Sequence, residues 1–243
     1  MIMEKLMVNS DNSNMKGLYR VGGMSAIVLS MSYIIITVLY VMGGALPSGG
    51  EEWLKHIAKH TLEWQAILGF SVLTDFLFVF VLWSLYWALK EINRNATLAG
   101  IAFVGLFVVL DLAVTWPNYS SLISISTKYA IATNDTQRMA FVAAANYAYG
   151  VLSSSLFAVY AILVPALGIS IIGLVMLKGT FSKVTAYLGV VTGILGIISV
   201  VGPFFLTALG MVAIITSVLT TVWVLFVGFK LLKLSKQSII LES

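Results

Sequence analysis

Six apolar runs, each close to 20 residues long, constrain this chain of 243 residues more than any other feature. About 20 apolar residues is the length that an α-helix needs to cross a bilayer. Inside lipid every backbone polar group must find a hydrogen bond, and a helix satisfies these groups within one segment. The composition agrees, because 60% of the residues are hydrophobic, 10% are charged and the mean hydropathy is +1.00. The sequence therefore predicts an all-α, polytopic transmembrane bundle of six spans.

Glycine, proline and short basic turns divide the chain into elements. We predict an N-terminal tail at 1–16, a transmembrane domain at 17–234 and a C-terminal tail at 235–243. The predicted spans are at about 21–44, 64–89, 98–122, 154–177, 184–201 and 207–232. The predicted surface helices are at about 51–63 and 135–149. Residues 139–177 are divided because one straight helix of 39 residues would be about 58 Å long, almost twice the hydrocarbon core.

Basic residues are distributed unequally between the two predicted sides of the membrane. Of the 14 Lys and Arg residues, ten lie at the termini and in the connections at 90–97 and 178–183, and four lie on the opposite side. Cytoplasmic segments carry the excess of basic residues. We therefore predict a multi-pass protein of the cell membrane with both termini in the cytoplasm.

The basic residues form no cluster of the kind that binds nucleic acid, and the spans leave no room for such a domain. The predicted partners are the lipid bilayer and, for a subunit of a complex, other membrane proteins.

Along span one, Ser30, Tyr33, Thr37 and Tyr40 recur at helical spacing, and this polar stripe predicts packing against other helices.

Two aspartates lie deep within predicted spans. Asp75 precedes Leu89, the last apolar residue of its span, by 14 residues, and Asp111 follows Leu98, the first residue of the next span, by 13. At 1.5 Å of rise per residue, both carboxyls lie roughly 20 Å above the same end of a helical hairpin. An ionisable side chain at this depth is costly and is by default a functional hypothesis. Because no basic residue matches their depth, each must be protonated, hydrogen-bonded, solvated or bound to a cation.

Polar residues share a helical face with each aspartate. Ser71 lies one turn before Asp75, and Thr115 and Asn118 lie one and two turns after Asp111. These rows predict either a narrow polar path that binds protons or cations, or structural hydrogen bonds that hold the helices together. The sequence leaves both interpretations open.

A second group of polar residues, Asn146 and Tyr147, precedes Gly150, where we expect a helix break. Irregular backbone at membrane depth is tolerated where it lines a cavity or is buried in protein. The group predicts either the mouth of a substrate path or a helix–helix contact.

One face of the surface helix at 51–63 holds four candidate metal ligands: Glu52, His56, His60 and Glu63. Two His at i and i+4 can share a metal ion. The zinc-peptidase pattern HExxH is absent, because Ile57 rather than a Glu follows His56. The face predicts either a metal site completed by carboxylates or the solvated side of an interfacial helix.

Missing residue types narrow the chemistry further. The chain has no Cys, which excludes disulfides, thiolate metal sites and Cys-ligated iron–sulfur clusters. No span carries a His for a bis-His haem, and GxSxG, the P-loop and the dinucleotide fingerprint are absent. We expect no cofactor, and we do not expect an enzyme.

Four stretches together resemble a known family: GLYRVGGMSA at 17–26, FSVLTDFLFV at 70–79, FVGLFVVLDLAVTWPNY at 103–119 and VTAYLGVVTGILGIISVVGP at 184–203. The chain from residue 17 onward resembles an uncharacterised prokaryotic and archaeal family of small six-span membrane proteins. The resemblance implies a six-helix membrane fold and no assigned activity. Asp75 and Asp111 fall inside two of these stretches, which makes them the positions to test.

Three functions are compatible with the sequence. The short loops and polar-poor spans favour a structural or accessory subunit of a larger membrane complex. The first alternative is a small-solute or cation permease, coupled to protons or sodium, that uses Asp75 and Asp111. The second alternative is a metal-dependent membrane enzyme at the surface helix.

Overall fold

The computed structural model describes the backbone of residues 2–237 and the side chains of residues 15–236. Within these bounds every regular element is helical, so the prediction of an all-α protein is confirmed there. The α-helices are α1 (Ile2–Gly43), α2 (Gly50–Lys59), α3 (Thr61–Leu110), α4 (Trp116–Ala130), α5 (Asp135–Leu152), α6 (Ser155–Ala158), α7 (Val164–Met176), α8 (Lys183–Val201) and α9 (Val212–Gln237). The π-helical segments Asp111–Thr115 and Val159–Leu163 join α3 to α4 and α6 to α7. The 3₁₀ segments Gly202–Phe204 and Thr207–Met211 join α8 to α9.

Five helical runs in the described part of the chain are long and apolar enough to cross a membrane. They are Met15–Gly43, Thr61–Ala130, Ser155–Met176, Lys183–Phe204 and Thr207–Lys236. The run Thr61–Ala130 has 70 residues, more than three times the length that one crossing needs.

This long run folds back on itself within α3. The backbone of Asn93 is extended rather than helical, with φ −160° and ψ 94°. The ring centroids of Phe78 and Phe107, which lie on opposite sides of this bend, are 6.3 Å apart. The first arm of α3 (61–92) and the second arm (94–110) are therefore antiparallel neighbours.

Side chains at the bend satisfy the backbone groups that the fold-back leaves free. Oδ1 of Asn93 accepts a hydrogen bond from the Ala96 N–H at 3.1 Å, which caps the second arm. The Thr97 hydroxyl, fully buried, donates to the Leu89 carbonyl at 3.4 Å and ties the two arms together.

The first and last helices pack antiparallel, so both ends of the described chain lie at one end of the bundle. A Cβ atom at Gly23 would lie 2.9 Å from the backbone nitrogen of Leu232, and Oγ of Ser30 lies 3.3 Å from the carbonyl oxygen of Thr221. We call the half of the bundle with the chain ends the terminal half. The opposite half, which carries α2 and α5, is the cap half.

Close packing characterises the terminal half. Its buried cluster includes Leu29, Leu85, Leu89, Ile172, Met176, Trp223 and Val227. Glycines let backbones touch there: a Cβ at Gly173 would lie 2.7 Å from the Val190 nitrogen, and a Cβ at Gly100 would lie 2.8 Å from the Ile172 side chain. Small residues at helix contacts are the usual device for close approach in membrane bundles.

A second buried cluster, built around tryptophans, fills the cap half. On α2, Trp53, Leu54 and Ile57 are buried, and α2 packs against α4 and α5. The apolar face of α2 is thus covered by protein, whereas an interfacial helix would turn this face to lipid. The helix ends at Lys59, because His60 leaves helical geometry (φ −126°, ψ 39°) before α3 begins.

Several predicted boundaries differ from the observed ones. The predicted tail at 1–16 is helical from Ile2, since no Gly or Pro interrupts that stretch. The expected break at Gly150 comes later, because α5 continues through this glycine and Ser154 caps α6 through its hydroxyl. Residues 238–243 of the predicted C-terminal tail lie outside the described residues.

Candidate functional site

A cavity of about 450 Å³ lies between the two buried clusters. Its wall includes Phe78 and Ile169 from the first cluster and Ile36 from the second. All five candidate membrane-crossing runs contribute side chains to the wall. Small-molecule sites in proteins are typically 300–1,000 Å³. The space is therefore of the size that holds a small organic molecule.

Both predicted aspartates line this cavity. Asp75 is 1% exposed and Asp111 is 6% exposed. Each lies 18 residues from Asn93, on opposite arms of the fold-back, so both are about 27 Å along their helices from the bend. Among the described residues that form the wall, these two are the only acids, and none is Lys, Arg or His.

The carboxylate of Asp75 has one strong partner. Nε1 of Trp116 donates a hydrogen bond to its Oδ2 at 2.6 Å. This bond joins the first arm of α3 to the first residue of α4, across the fold-back. An ionised carboxylate accepts about four hydrogen bonds, so one donor leaves most of its capacity open.

Proline residues account for the two π-helical segments beside the cavity. The segment Asp111–Thr115 ends two residues before Pro117, and Val159–Leu163 ends two residues before Pro165. A proline inside a helix has no N–H to donate and its ring clashes with the carbonyl four residues earlier. Widening the preceding turn to i+5 bonding relieves this clash, and such π-turns are frequent at functional sites.

The two π-segments are linked to each other across the wall. The hydroxyls of Thr115 and Tyr160 are 2.9 Å apart, and both side chains are buried. This contact is a direct polar link between the helical run that carries Asp111 and the third membrane-crossing run, Ser155–Met176.

Hydroxyl side chains supply most of the remaining polar wall. Six of them donate their proton to a carbonyl of their own helix at 2.6–3.0 Å: Thr37, Thr74, Thr216, Ser217, Thr220 and Thr221. A hydroxyl has one proton and two lone pairs. With that proton used on the helix, these groups can offer the cavity only acceptor lone pairs. The wall therefore favours a positively charged ligand over an anion.

Thr192 differs from these six hydroxyls. It is 1% exposed, and its Oγ1 has no hydrogen-bond partner among the described residues. Leaving a buried hydroxyl unpaired costs about 1–3 kcal/mol.

Aromatic side chains surround the polar groups and pack over the cap end of the cavity. Seven of them line the wall: Tyr33, Tyr40, Phe78, Phe107, Trp116, Tyr119 and Phe157. Trp64 packs on two of these, with ring centroids 5.5 Å from Tyr40 and 5.6 Å from Tyr119. Its ring also contacts Trp53 at 5.0 Å and His56 at 6.0 Å. This cluster separates the cavity from the surface of α2.

Two residues of the cavity wall are exposed at the molecular surface, one on α1 and one on α9. They are Thr37 and Ser217, and the other described residues of the wall are buried or half-buried, so we infer that the cavity opens between α1 and α9. Their neighbours on the same helices are exposed and apolar, with Val38 at 51%, Ile214 at 66% and Val218 at 54%. The opening therefore lies within an apolar stretch of the helix surface.

The other predicted lining residues divide into two groups. Ser71 and Thr115 line the cavity. Asn118 lies outside the wall, because its Nδ2 donates to the carbonyl of Val114 one turn earlier, at 2.8 Å. Two more residues, on α5, also lie outside: Oδ1 of Asn146 accepts from the Gly50 N–H at 2.9 Å, and Tyr147 is 73% exposed.

The predicted metal-binding face remains spread along the helix surface. Oε2 of Glu52 accepts from the Ser48 N–H at 3.1 Å, the His56 and His60 rings are 5.2 Å apart, and Nδ1 of His60 is 3.6 Å from Oε1 of Glu63. No group of three or more His, Cys, Asp or Glu residues within the described ranges is arranged to hold a metal ion. Burial beside the tryptophan cluster lowers the pKa of His56, and His60 and Lys59 lower it further.

Sequence analysis interpreted some cavity residues differently and missed others. Tyr33, Thr37 and Tyr40 belong to the polar stripe of α1 that was predicted to pack, and they line the cavity. Thr216 and Thr220 on α9 were missed. Their spacing of i and i+4 is the signal that could have identified them.

No family model matches this chain, and no curated protein or solved structure matches it either.

Proposed function

We propose that this protein is a cation permease in which Asp75 and Asp111 bind the transported cation or a coupling proton. One observation carries the proposal: both acids line a single cavity of about 450 Å³, and none of the described residues in its wall is basic. A buried carboxylate is costly unless a counter-charge or hydrogen bonds compensate it. The wall itself supplies one clear donor to Asp75, the indole N–H of Trp116.

The cavity supports the permease over the other functions that the sequence left open. A purely structural subunit needs packed helices, and a space of this size in mid-bundle adds nothing to packing. Structural hydrogen bonding would leave the two acids in a filled interface rather than in a cavity wall. The metal-dependent enzyme is less well supported, because Glu52 is turned toward Ser48 and away from the two His. Stoichiometric co-purification of a second membrane protein would favour the accessory subunit.

The topology proposed for this permease has six spans. The two arms of α3 fold back at Asn93, and each arm, the second with its continuation into α4, is long enough for one crossing. The excess of Lys and Arg at the chain ends and in two connections supports termini in the cytoplasm and location in the plasma membrane. The test is to fuse, after residue 243, a reporter that is active only in the periplasm or outside the cell. Activity of this reporter would contradict the proposed orientation. Membership in the six-span family that the sequence resembles is part of the same proposal.

The cavity's surroundings suit a protein that changes shape. Two π-segments, each preceding a proline, form part of the wall, and π-turns hold fewer well-formed helical bonds than α-turns. The bond between Thr115 and Tyr160 couples them. Transporters commonly bind substrate at broken or irregular helices near the bilayer midplane. In this protein Asp111 is the first residue of one such irregular turn.

Cation flux into liposomes containing the purified protein tests the proposal. The variants are Asp75→Asn and Asp111→Asn, and Asp135→Asn is the matched control because this exposed acid lies at the start of α5, away from the cavity. Uptake of sodium, protons and organic cations is measured for each. We expect flux in the native protein and in Asp135→Asn, and a loss of at least about tenfold in the two cavity variants.

The variants must elute as the native protein does on size-exclusion chromatography, so that lost flux reports lost binding and not lost folding. Normal flux in both Asp75→Asn and Asp111→Asn would refute the role of the acids. Absence of flux for every cation tested with the native protein would refute the permease.

A further inference from the structure

We infer that the ligand of this cavity is an amphiphilic organic cation that enters sideways from the bilayer, between α1 and α9. The inference rests on the proposed cation permease and names the class of its substrate. It is drawn from the charge of the wall, the aromatic lining and the position of the opening.

The polar wall is complementary to a cation. Asp75 and Asp111 are its acids, and the hydroxyls on α1, α3 and α9 offer lone pairs because their protons are bonded to helix carbonyls. Thr192, 1% exposed and without a hydrogen-bond partner in the described chain, lines the same space.

The rest of the wall favours an organic rather than an inorganic ion. Sodium, calcium and magnesium require oxygens packed closely around one point, whereas this cavity has about 450 Å³ and seven aromatic side chains in its wall. Organic ammonium and phosphonium ions are held by aromatic rings through cation–π contact, and their apolar bodies fill apolar space. A binding site for such ions therefore combines carboxylates with aromatic rings.

The opening indicates how the ligand arrives. Thr37 and Ser217, the exposed wall residues, lie in mid-helix and not in a loop. The surface beside them is apolar, including Val38 and Ile214. In a membrane this surface contacts lipid chains. A molecule that enters there must first dissolve in the bilayer, so it needs an apolar body as well as its charge.

Binding to the full chain in nanodiscs tests the class of ligand. The probe is tetraphenylphosphonium, and tetraphenylborate is the matched probe of the same shape and opposite charge. Choline is the hydrophilic cation. Empty nanodiscs correct for partition into lipid. We expect saturable binding of tetraphenylphosphonium, no saturable binding of tetraphenylborate, and no competition by choline at concentrations up to about tenfold above the phosphonium.

A variant carrying both Asp75→Asn and Asp111→Asn should bind tetraphenylphosphonium at least about tenfold more weakly, whereas Asp135→Asn should bind it as the native protein does. Equal binding of the phosphonium and the borate would overturn the role of charge. Equal competition by choline would overturn the requirement for an apolar body.

Cysteine labelling tests the route of entry. The chain has no native Cys, so Thr37→Cys and Ser217→Cys each carry a single thiol, and Val38→Cys is the neighbouring control outside the cavity wall. We expect a lipid-soluble maleimide to label all three, and tetraphenylphosphonium to protect the first two but not Val38→Cys. Rapid labelling of Thr37→Cys and Ser217→Cys by a membrane-impermeant maleimide would overturn lateral entry.

The outcomes separate this inference from the proposed function. Saturable binding of tetraphenylphosphonium without flux of any cation would support the site and refute the permease. Flux of sodium or protons that depends on Asp75, without any binding of tetraphenylphosphonium, would support the permease and overturn the organic ligand.

Discussion

The terminal half of this bundle and the region between it and the cap half are built from the same long apolar helices, yet the first is packed and the second holds a cavity. In the terminal half, glycines bring backbones together, as Gly173 does against Val190 and Gly23 against Leu232. Toward the cap half, hydroxyls, aromatic rings and the proline-linked π-segments line the cavity. The difference teaches that hydropathy places helices in the membrane, whereas small residues and prolines decide where the bundle is solid.

The helix pair α1 and α9 shows this difference along a single contact. Near the chain ends, a Cβ at Gly228 would lie 3.0 Å from the Cβ of Ala26, so the helices touch. Beyond the contact between Ser30 and Thr221, both helices line the cavity instead. One close-packed segment therefore fixes the pair, and the other segment is free to form the opening.

The largest effect on stability is expected in the terminal half. Gly173→Leu forces a side chain into the backbone of Val190, 2.7 Å from the position of its Cβ. We expect the free energy of unfolding to fall by about 3 kcal/mol or more, the upper range for overpacking. Thermal unfolding of the purified protein in detergent measures the change. The control is Gly69→Leu, where nothing lies within 4 Å of the added Cβ; an equal loss in the control would contradict the account.

A smaller effect is expected for the bond between the π-segments. Thr115→Val and Tyr160→Phe each remove one hydroxyl of a buried pair 2.9 Å apart, and each should cost about 1 kcal/mol. The double variant should cost less than the two single costs added, because the same bond is lost only once. Unfolding midpoints of the four proteins give the coupling. If the losses of unfolding free energy in the two single variants add up fully in the double variant, the bond does not couple the two π-segments.

Enlarging a residue at the cavity should be tolerated, in contrast to the terminal half. Ala213→Leu adds apolar volume to the wall of a space of about 450 Å³, so the free energy of unfolding should change by less than about 1 kcal/mol. Cation flux should nevertheless fall, because the side chain occupies the ligand space. Ala102→Leu, on an exposed face of α3, should leave both quantities unchanged. A loss of stability like that of Gly173→Leu would mean that the cavity is filled.

The smallest effect concerns pH and the cap. Burial lowers the pKa of His56 below its ordinary value of 6.5. The folded protein then binds this proton more weakly than the unfolded chain, so stability is fully present above pH 6.5 and declines as pH falls through the range below it. Unfolding midpoints across this range should show less decline for His56→Gln than for the native protein. If the native protein and His56→Gln show the same dependence of unfolding midpoint on pH, protonation of His56 does not cause the loss of stability.

The sequence predicted the helical class and the two acids because both rest on simple local signals. Long apolar runs have one economical structure in lipid, and Asp75 and Asp111 stand out in them by charge alone. The cavity was not predictable, since it depends on how five runs meet. The hydroxyls of α9 look like ordinary membrane-helix residues until their neighbours are known. Asn118 matched the face of Asp111 only for a regular α-helix, and the π-turn before Pro117 adds a residue that shifts this register.

The first experiment to make is cation uptake into liposomes. It compares the native protein with the variants Asp75→Asn, Asp111→Asn and Asp135→Asn. It tests directly whether the two cavity carboxylates bind the transported cation or coupling proton. We expect uptake by the native protein and by Asp135→Asn, and a loss of at least about tenfold in the two cavity variants at unchanged folding. Uptake that survives in both cavity variants at the native rate would contradict this binding role.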